Sequence, residues 1–196
     1  MAAELKGRRV AALVTKGFEQ VELTEPRKAL ETAGATVHVI SPEPDRVRGW
    51  NRTDWGDEVP VDRTLDQVRA DEYDALLLPG GVMNPDKLRM NSRAVQLVKR
   101  FFDDGKPIAV ICHGPWTLVE ADVVRGLTMT SYPSVRKDLE NAGARWVDQE
   151  VVTDRGIVSS RKPDDIPAFN RKMIEEFAEG AHGGAGRRQT AGTARG

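Results

Sequence analysis

The sequence predicts an α/β protein, a three-layer α/β/α sandwich built on a mainly parallel sheet. Short, continuous apolar runs such as residues 74–79 (DALLLP) and 108–111 (IAVI) have the length and flanks of strands covered on both faces. Stretches with helical period separate them. The first three elements make a β-α-β unit, for which a parallel, right-handed crossover is expected. Strands and helices alternating at this spacing build such a sandwich.

In order, residues 8–15 (RRVAALVT) read as the first strand, followed by the loop KGFEQ. The amphipathic helix after it ends at Ala33 and Gly34, with Gly34 as the left-handed stop. Pro26 leaves its start open: either Thr24 caps a helix with Pro26 in its first turn, or one turn of helix precedes. Residues 36–41 (TVHVIS) form the second strand. Residues 42–58, rich in Pro, Gly, Asp, Arg and Trp, read as an excursion, a small hairpin ending in a short strand at 59–61. Trp50 and Trp55 are expected to serve packing or an interface. A short helix at 65–68 precedes the buried strand 74–79, which runs into Gly80, Gly81 and a loop carrying Asp86. Asn91 caps a helix with Ala94, Leu97, Val98 and Phe101 on one face. The strand 108–111 leads through Cys112 into a helix at 115–121. Residues 127–131 read as a strand and 134–142 as a short helix. Strands at 145–153 and 156–160 flank an Asp154-Arg155-Gly156 turn, which suggests an antiparallel hairpin. The last helix begins near Pro163, with Asp164 and Asp165 where the helix dipole favours acid. Its stripe of Ile166, Phe169, Met173 and Phe177 is read as core. Residues 1–179 form one domain, and 180–196 lack apolar weight and read as a mobile tail. No internal repeat is found.

A chain of 196 residues suits one domain with a sizeable core. With 29 basic and 30 acidic residues, nothing electrostatic argues for nucleic acid or a membrane surface. The start MAAELKGRRV is not a signal peptide and no run approaches a membrane span, so a cytoplasmic protein is expected. The single cysteine cannot form an internal disulfide and remains available for chemistry.

By residue type alone, a buried cysteine is usually a small apolar core residue. Position changes the reading. Cys112 sits between a central strand and a helix, where open α/β sheets bind their ligands and where the helix start favours a thiolate. The elbow Val110-Ile111-Cys112-His113-Gly114 resembles G-x-S-x-G without its first glycine. Oxyanion donors are expected from the N–H of His113 and of Gly81, with Gly80 beside it at the end of the neighbouring strand. Of three histidines, His38 alternates inside a strand and His182 lies in the tail, which leaves His113 as the base. Adjacent residues on a sharp turn point apart, so His113 is expected to need an acid to orient it. Glu19, in the loop after the first strand, and Asp86, in the loop after Gly81, are the candidates.

The motifs FEQVEL (18–23), LPGG (78–81), ICHGP (111–115), TSYP (130–133) and VSSR (158–161) resemble the PfpI intracellular protease family of the DJ-1/PfpI superfamily, related to class I glutamine amidotransferases. The resemblance covers residues 8–178. It implies a flavodoxin-like sandwich and a homodimer, with hexamers in some members. Cys112 falls on the family nucleophile, His113 on its neighbouring histidine and Gly81 on the oxyanion donor, with Tyr132 near the site. Glu19 falls on the acid that touches the cysteine sulfur; a carboxyl there helps a thiolate only while protonated. Asp86 falls on the acid that a second subunit supplies to the histidine, where the protease relatives carry a glutamate. Glutaminase chemistry is disfavoured, because no histidine lies between His113 and His182.

The resemblance implies a stress-response protein whose thiol acts on small aldehydes or glycated amines, in glyoxalase or deglycase chemistry, or as a cysteine hydrolase or peptidase. The alternative is a redox sensor or chaperone that works through oxidation of Cys112 without turnover. No metal or cofactor is expected; the expected partners are a second copy and a small carbonyl compound or peptide.

Overall fold

The computed structural model describes residues 4–183. Its main sheet contains strands β1 (Arg9–Leu13), β2 (Thr36–Ser41), β5 (Arg63–Thr64), β6 (Ala75–Leu78), β7 (Ile108–Ile111), β10 (Val151–Asp154) and β11 (Ile157–Ser160). Their spatial order is β10-β11-β7-β6-β1-β2-β5, and every pairing is parallel except β10 with β11. The hairpin expected around Asp154 is therefore present on an otherwise parallel sheet.

Strand alternation divides the core in two. Ala11, Leu13, Leu76, Leu78, Ile108 and Val110 pack with Leu97, Phe101 and Leu118, which come from helices α3 (Ser92–Asp103) and α4 (Pro115–Glu120). Val10, Ala12, Leu77, Ala109 and Ile111 face the other way, onto Leu23 and Leu30 of α1 (Gln20–Thr32) and Phe169, Met173 and Phe177 of α6 (Ile166–Glu179). Helices α2 (Met83–Arg89) and α5 (Arg136–Asn141) complete the first layer. This is the flavodoxin-like sandwich. Among the described residues no helix is long and apolar enough to cross a membrane.

Several elements differ from expectation. Helix α1 starts at Gln20, so a full turn precedes Pro26. Proline lacks the N–H that would reach the Glu22 carbonyl four residues back, and burial of Pro26 on the core face outweighs that missing bond. Residues 83–89 are helical rather than a loop, and Asp86 rides on that helix. The excursion is a hairpin of β3 (Arg46–Asn51) and β4 (Asp54–Pro60), pinned by edge-to-face Trp50 and Trp55 at 5.4 Å. The segment 127–131 does not join the main sheet. The Asp154 carboxylate accepts the Thr128 N–H and Ser159 Oγ accepts that of Thr130, so β8 (Thr128–Met129) pairs only with β9 (Arg145–Trp146). The long strand expected at 145–153 is thus divided between β9 and β10. The tail does not begin at 180: the His182 N–H donates to the Gly105 carbonyl, and the His182 ring meets the Glu176 carboxylate. Residues 184–196 lie outside the described residues.

The loops at the carboxyl edge of the sheet are tied together. Asn84, fully buried, accepts the Thr15 N–H at 2.7 Å and donates to the carbonyls of Pro79 at 2.9 Å and Gly80 at 3.1 Å. The hairpin joins them: Trp50 N–H donates to Phe18 O at 2.7 Å and Gly17 N–H to Arg48 O at 2.9 Å. The ends of β1, β6 and β7 thereby meet at the crevice where the strand order reverses.

Candidate active site

Cys112 follows the last residue of β7 with φ +63°, a left-handed conformation that few side chains adopt. The turn holds its side chain back over the sheet edge, 6% exposed. The N–H groups of Gly81 and His113 lie near the sulfur and favour its ionised form. Gly81 supplies its N–H from φ +77°, and a Cβ there would meet Glu19 N and Gly17 O at 2.7 Å. Gly80 is equally constrained, since a Cβ would lie 2.6 Å from Glu22 Oε2 and 2.7 Å from Cys112 Cβ.

The acid against the sulfur is Glu22, not Glu19. Because α1 begins at Gln20, Glu19 becomes the residue capping it, and its Oε1 accepts the Arg52 N–H at 3.3 Å at the rim. Glu22, in the first turn, projects inward and is completely buried. Its Oε2 accepts the Gly80 N–H at 2.8 Å, Oε1 has no hydrogen-bond partner, and the carboxyl lies beside Cys112. The sequence carries a signal for this: Glu22, Leu23, Pro26 and Leu30 form the buried stripe of α1, and an acid on an apolar stripe asks for a specific neighbour.

The ring of His113 does return to the sulfur, with Nδ1 3.1 Å from Sγ. Its other nitrogen, Nε2, is 3.1 Å from Ser134 Oγ, a residue that the sequence reading passed over. Tyr132 stacks on the ring at 4.7 Å, and its N–H donates to the Cys112 carbonyl at 2.9 Å. Asp86 is not in this group. It is exposed on α2 and lines a separate surface cavity with Arg89, Met90 and Glu120, so within one chain it does not reach His113.

Cys112, His113, Glu22, Gly81 and Tyr132 open into a cavity of about 470 Å³, walled by Trp50, Arg52 and Met83. Burial raises the Glu22 carboxyl to about 8, although the Gly80 N–H pulls it down, so it keeps its proton at neutral pH. Burial also pushes the Cys112 thiol up, and an ionised Glu22 would push it further; the Gly81 and His113 N–H groups oppose this. While Glu22 holds its proton that repulsion is absent, and the carboxyl is a donor toward sulfur. Burial lowers the His113 imidazole and keeps it neutral, as a base must be. Glu19, partly buried, is raised by the same effect.

The family model for the DJ-1/PfpI family matches residues 8–176. General stress protein 18 of Bacillus subtilis is 46% identical over 170 residues, covering 86% of this chain and 96% of that one. Deglycase PH1704 of Pyrococcus horikoshii is 43% identical over 167 residues, covering 85% of this chain and 98% of that one. The crystal structure of Drosophila melanogaster DJ-1beta superposes with a TM-score of 0.80 at 29% identity, with 91% of each chain covered.

A carboxyl raised from 4.5 to about 8 on folding stabilises the native state most below 4.5, and that contribution is lost as pH rises toward 8. The lowered His113 has the opposite sign below its ordinary value, so the test is a difference. The stability of wild type minus that of Glu22→Gln, from urea unfolding, should fall between pH 5 and 8 by about 1 kcal/mol per pH unit. A flat difference would mean that Glu22 is already ionised at pH 5.

Proposed function

Because the chain belongs to the DJ-1/PfpI family, we propose that it is a cysteine-dependent enzyme of carbonyl stress, acting on small α-oxoaldehydes and on their adducts with amines. One observation carries this reading: the Cys112 sulfur faces two backbone N–H groups, a protonated carboxyl and a histidine base in a single small cavity. Sulfur adds to the aldehyde carbon of methylglyoxal as the thiol proton passes to His113 Nδ1, giving a hemithioacetal. Glu22 is the proton donor to the new oxygen. The proton on that carbon then moves to the neighbouring carbonyl carbon, and the hydroxyl proton to that carbonyl's oxygen, which converts the adduct into an S-lactoyl thioester. Water releases lactate and the thiol, so methylglyoxal and water are consumed with no outside oxidant. With a glycated amine, the thiol displaces the amine from its carbinol and the same hemithioacetal results.

The names General stress protein 18 and deglycase among the relatives support this reading. A cavity of about 470 Å³ walled by Trp50 and Tyr132 supports small substrates over peptides. A second reading, a peroxide sensor, has its own support: with no second cysteine to form a disulfide, oxidation stops at sulfenic or sulfinic acid, whose oxygens would take the same donors. A homodimer belongs to the proposal as well. Met90 is 85% exposed and Val82 55% exposed at the two ends of the helix that carries Asp86, an apolar surface that a second copy would cover.

Lactate formation from methylglyoxal, without added thiol, should be clear in wild type and at the buffer rate in Cys112→Ser. Glu22→Gln should lower kcat by roughly 100-fold. Turnover that survives in Cys112→Ser would sink the enzyme reading. After mild peroxide, intact mass should show one or two oxygen atoms added in wild type and none in Cys112→Ser; an unoxidised wild type would remove the sensor reading. Light scattering should give twice the chain mass, falling to the monomer in Val82→Asp/Met90→Asp, and a monomeric wild type would refute the dimer.

A further inference from the structure

We propose that Ser134 is the positioning residue of His113: its Oγ accepts the Nε2 proton and so turns the bare Nδ1 toward the Cys112 thiol. The inference rests on the enzyme reading only for its purpose, since the geometry stands without it. A histidine next to its nucleophile needs something to fix which nitrogen carries the proton. The partner suggested by the sequence, an acid, is absent from the ring within this chain. Ser134 Oγ is there instead, 3.1 Å from Nε2.

The tautomer follows from the contacts of the sulfur. A carboxyl keeps an acceptor oxygen even when protonated, so Glu22 and His113 could both take the thiol proton. Of the two, Nδ1 of His113 is within hydrogen-bond reach of the sulfur, at 3.1 Å, whereas Glu22 Oε1 has no hydrogen-bond partner. Nδ1 must then be unprotonated in the resting state, Nε2 bears the proton, and the serine hydroxyl receives it.

Ser134 is held for this. It lies in the turn Pro133–Val135, anchored on one side by buried Val135 and on the other by the Tyr132 N–H bond to the Cys112 carbonyl. Tyr132 covers one face of the imidazole, and Trp116 meets it edge-on at 5.2 Å, so two aromatic rings bracket it. A hydroxyl also differs in kind from a carboxylate. It fixes direction without adding charge, and leaves the imidazole a neutral base. The charged and titratable groups that line the same cavity are Glu22, Glu19, Arg52 and Tyr132, with Arg89 behind Trp116.

The test pairs nitrogen NMR of the His113 ring, identified by loss of its signals in His113→Gln, with the rate of Cys112 alkylation by iodoacetamide at neutral pH. Neither depends on the substrate. Wild type should show the Nε2–H form. Ser134→Ala should lose its dominance and slow alkylation by roughly three- to tenfold, the reach of one net hydrogen bond, without unfolding. Ser134→Thr should restore both, and Asp86→Asn should change neither. A wild-type ring protonated at Nδ1, an unaltered Ser134→Ala, or a tautomer that shifts with Asp86→Asn instead would each overturn the assignment. Should these results hold while methylglyoxal is not turned over, only the enzyme reading fails.

Discussion

A carboxylic acid buried beside a thiol is the constraint on which the rest of this site depends. Glu22 is fully buried, accepts the Gly80 N–H and lies beside the Cys112 thiol. Such a group is tolerable only when neutral. Gly80 must lack a side chain because the carboxyl and the cysteine occupy that space, and Gly81 must take a left-handed turn so that its N–H faces sulfur. Asn84 then locks the Gly80 loop to the end of β1, the strand that launches the helix bearing Glu22. Each of these features has one physical requirement behind it, a protonated acid held at fixed range from a nucleophile.

Preorganisation accounts for the unusual backbone. A strained cysteine at φ +63° persists because β7 before it, α4 after it and the Tyr132 N–H bond leave it no alternative. The hairpin of Trp50 and Arg52 adds the roof. Its hydrogen bonds to Gly17 and Phe18 make it an extension of the β1 loop, so the cavity wall is fixed by main-chain contacts.

Most of the fold was legible in the sequence because burial on both faces leaves continuous apolar runs, and β6 and β7 are such runs. The cysteine, its histidine and the glycine pair were legible because strand ends of a parallel sheet converge. Glu22 was not, for a reason of a single helical turn. Whether α1 begins before or after Pro26 decides which of two acids faces inward, and local preference alone does not settle that when tertiary burial of Pro26 outweighs a lost hydrogen bond. Helix α2 was missed because MNPDKLR is short and carries a proline, and its stability comes from Asn84, Pro85 and Leu88 being buried. Ser134 left no trace in the pattern: a serine read as the start of a short helix looks solvent-facing unless the ring it meets is already in place.

The buried acid also says something about how this protein can be improved. Glu22 and the left-handed Cys112 are both positions where an ordinary residue would fold better, an amide or leucine at one and a glycine at the other. A selection for heat resistance alone would therefore erode the chemistry first, at its two central residues. Stabilising changes compatible with the site belong far from it, on the helix surfaces and at the amino edge of the sheet, where Gly105 holds His182.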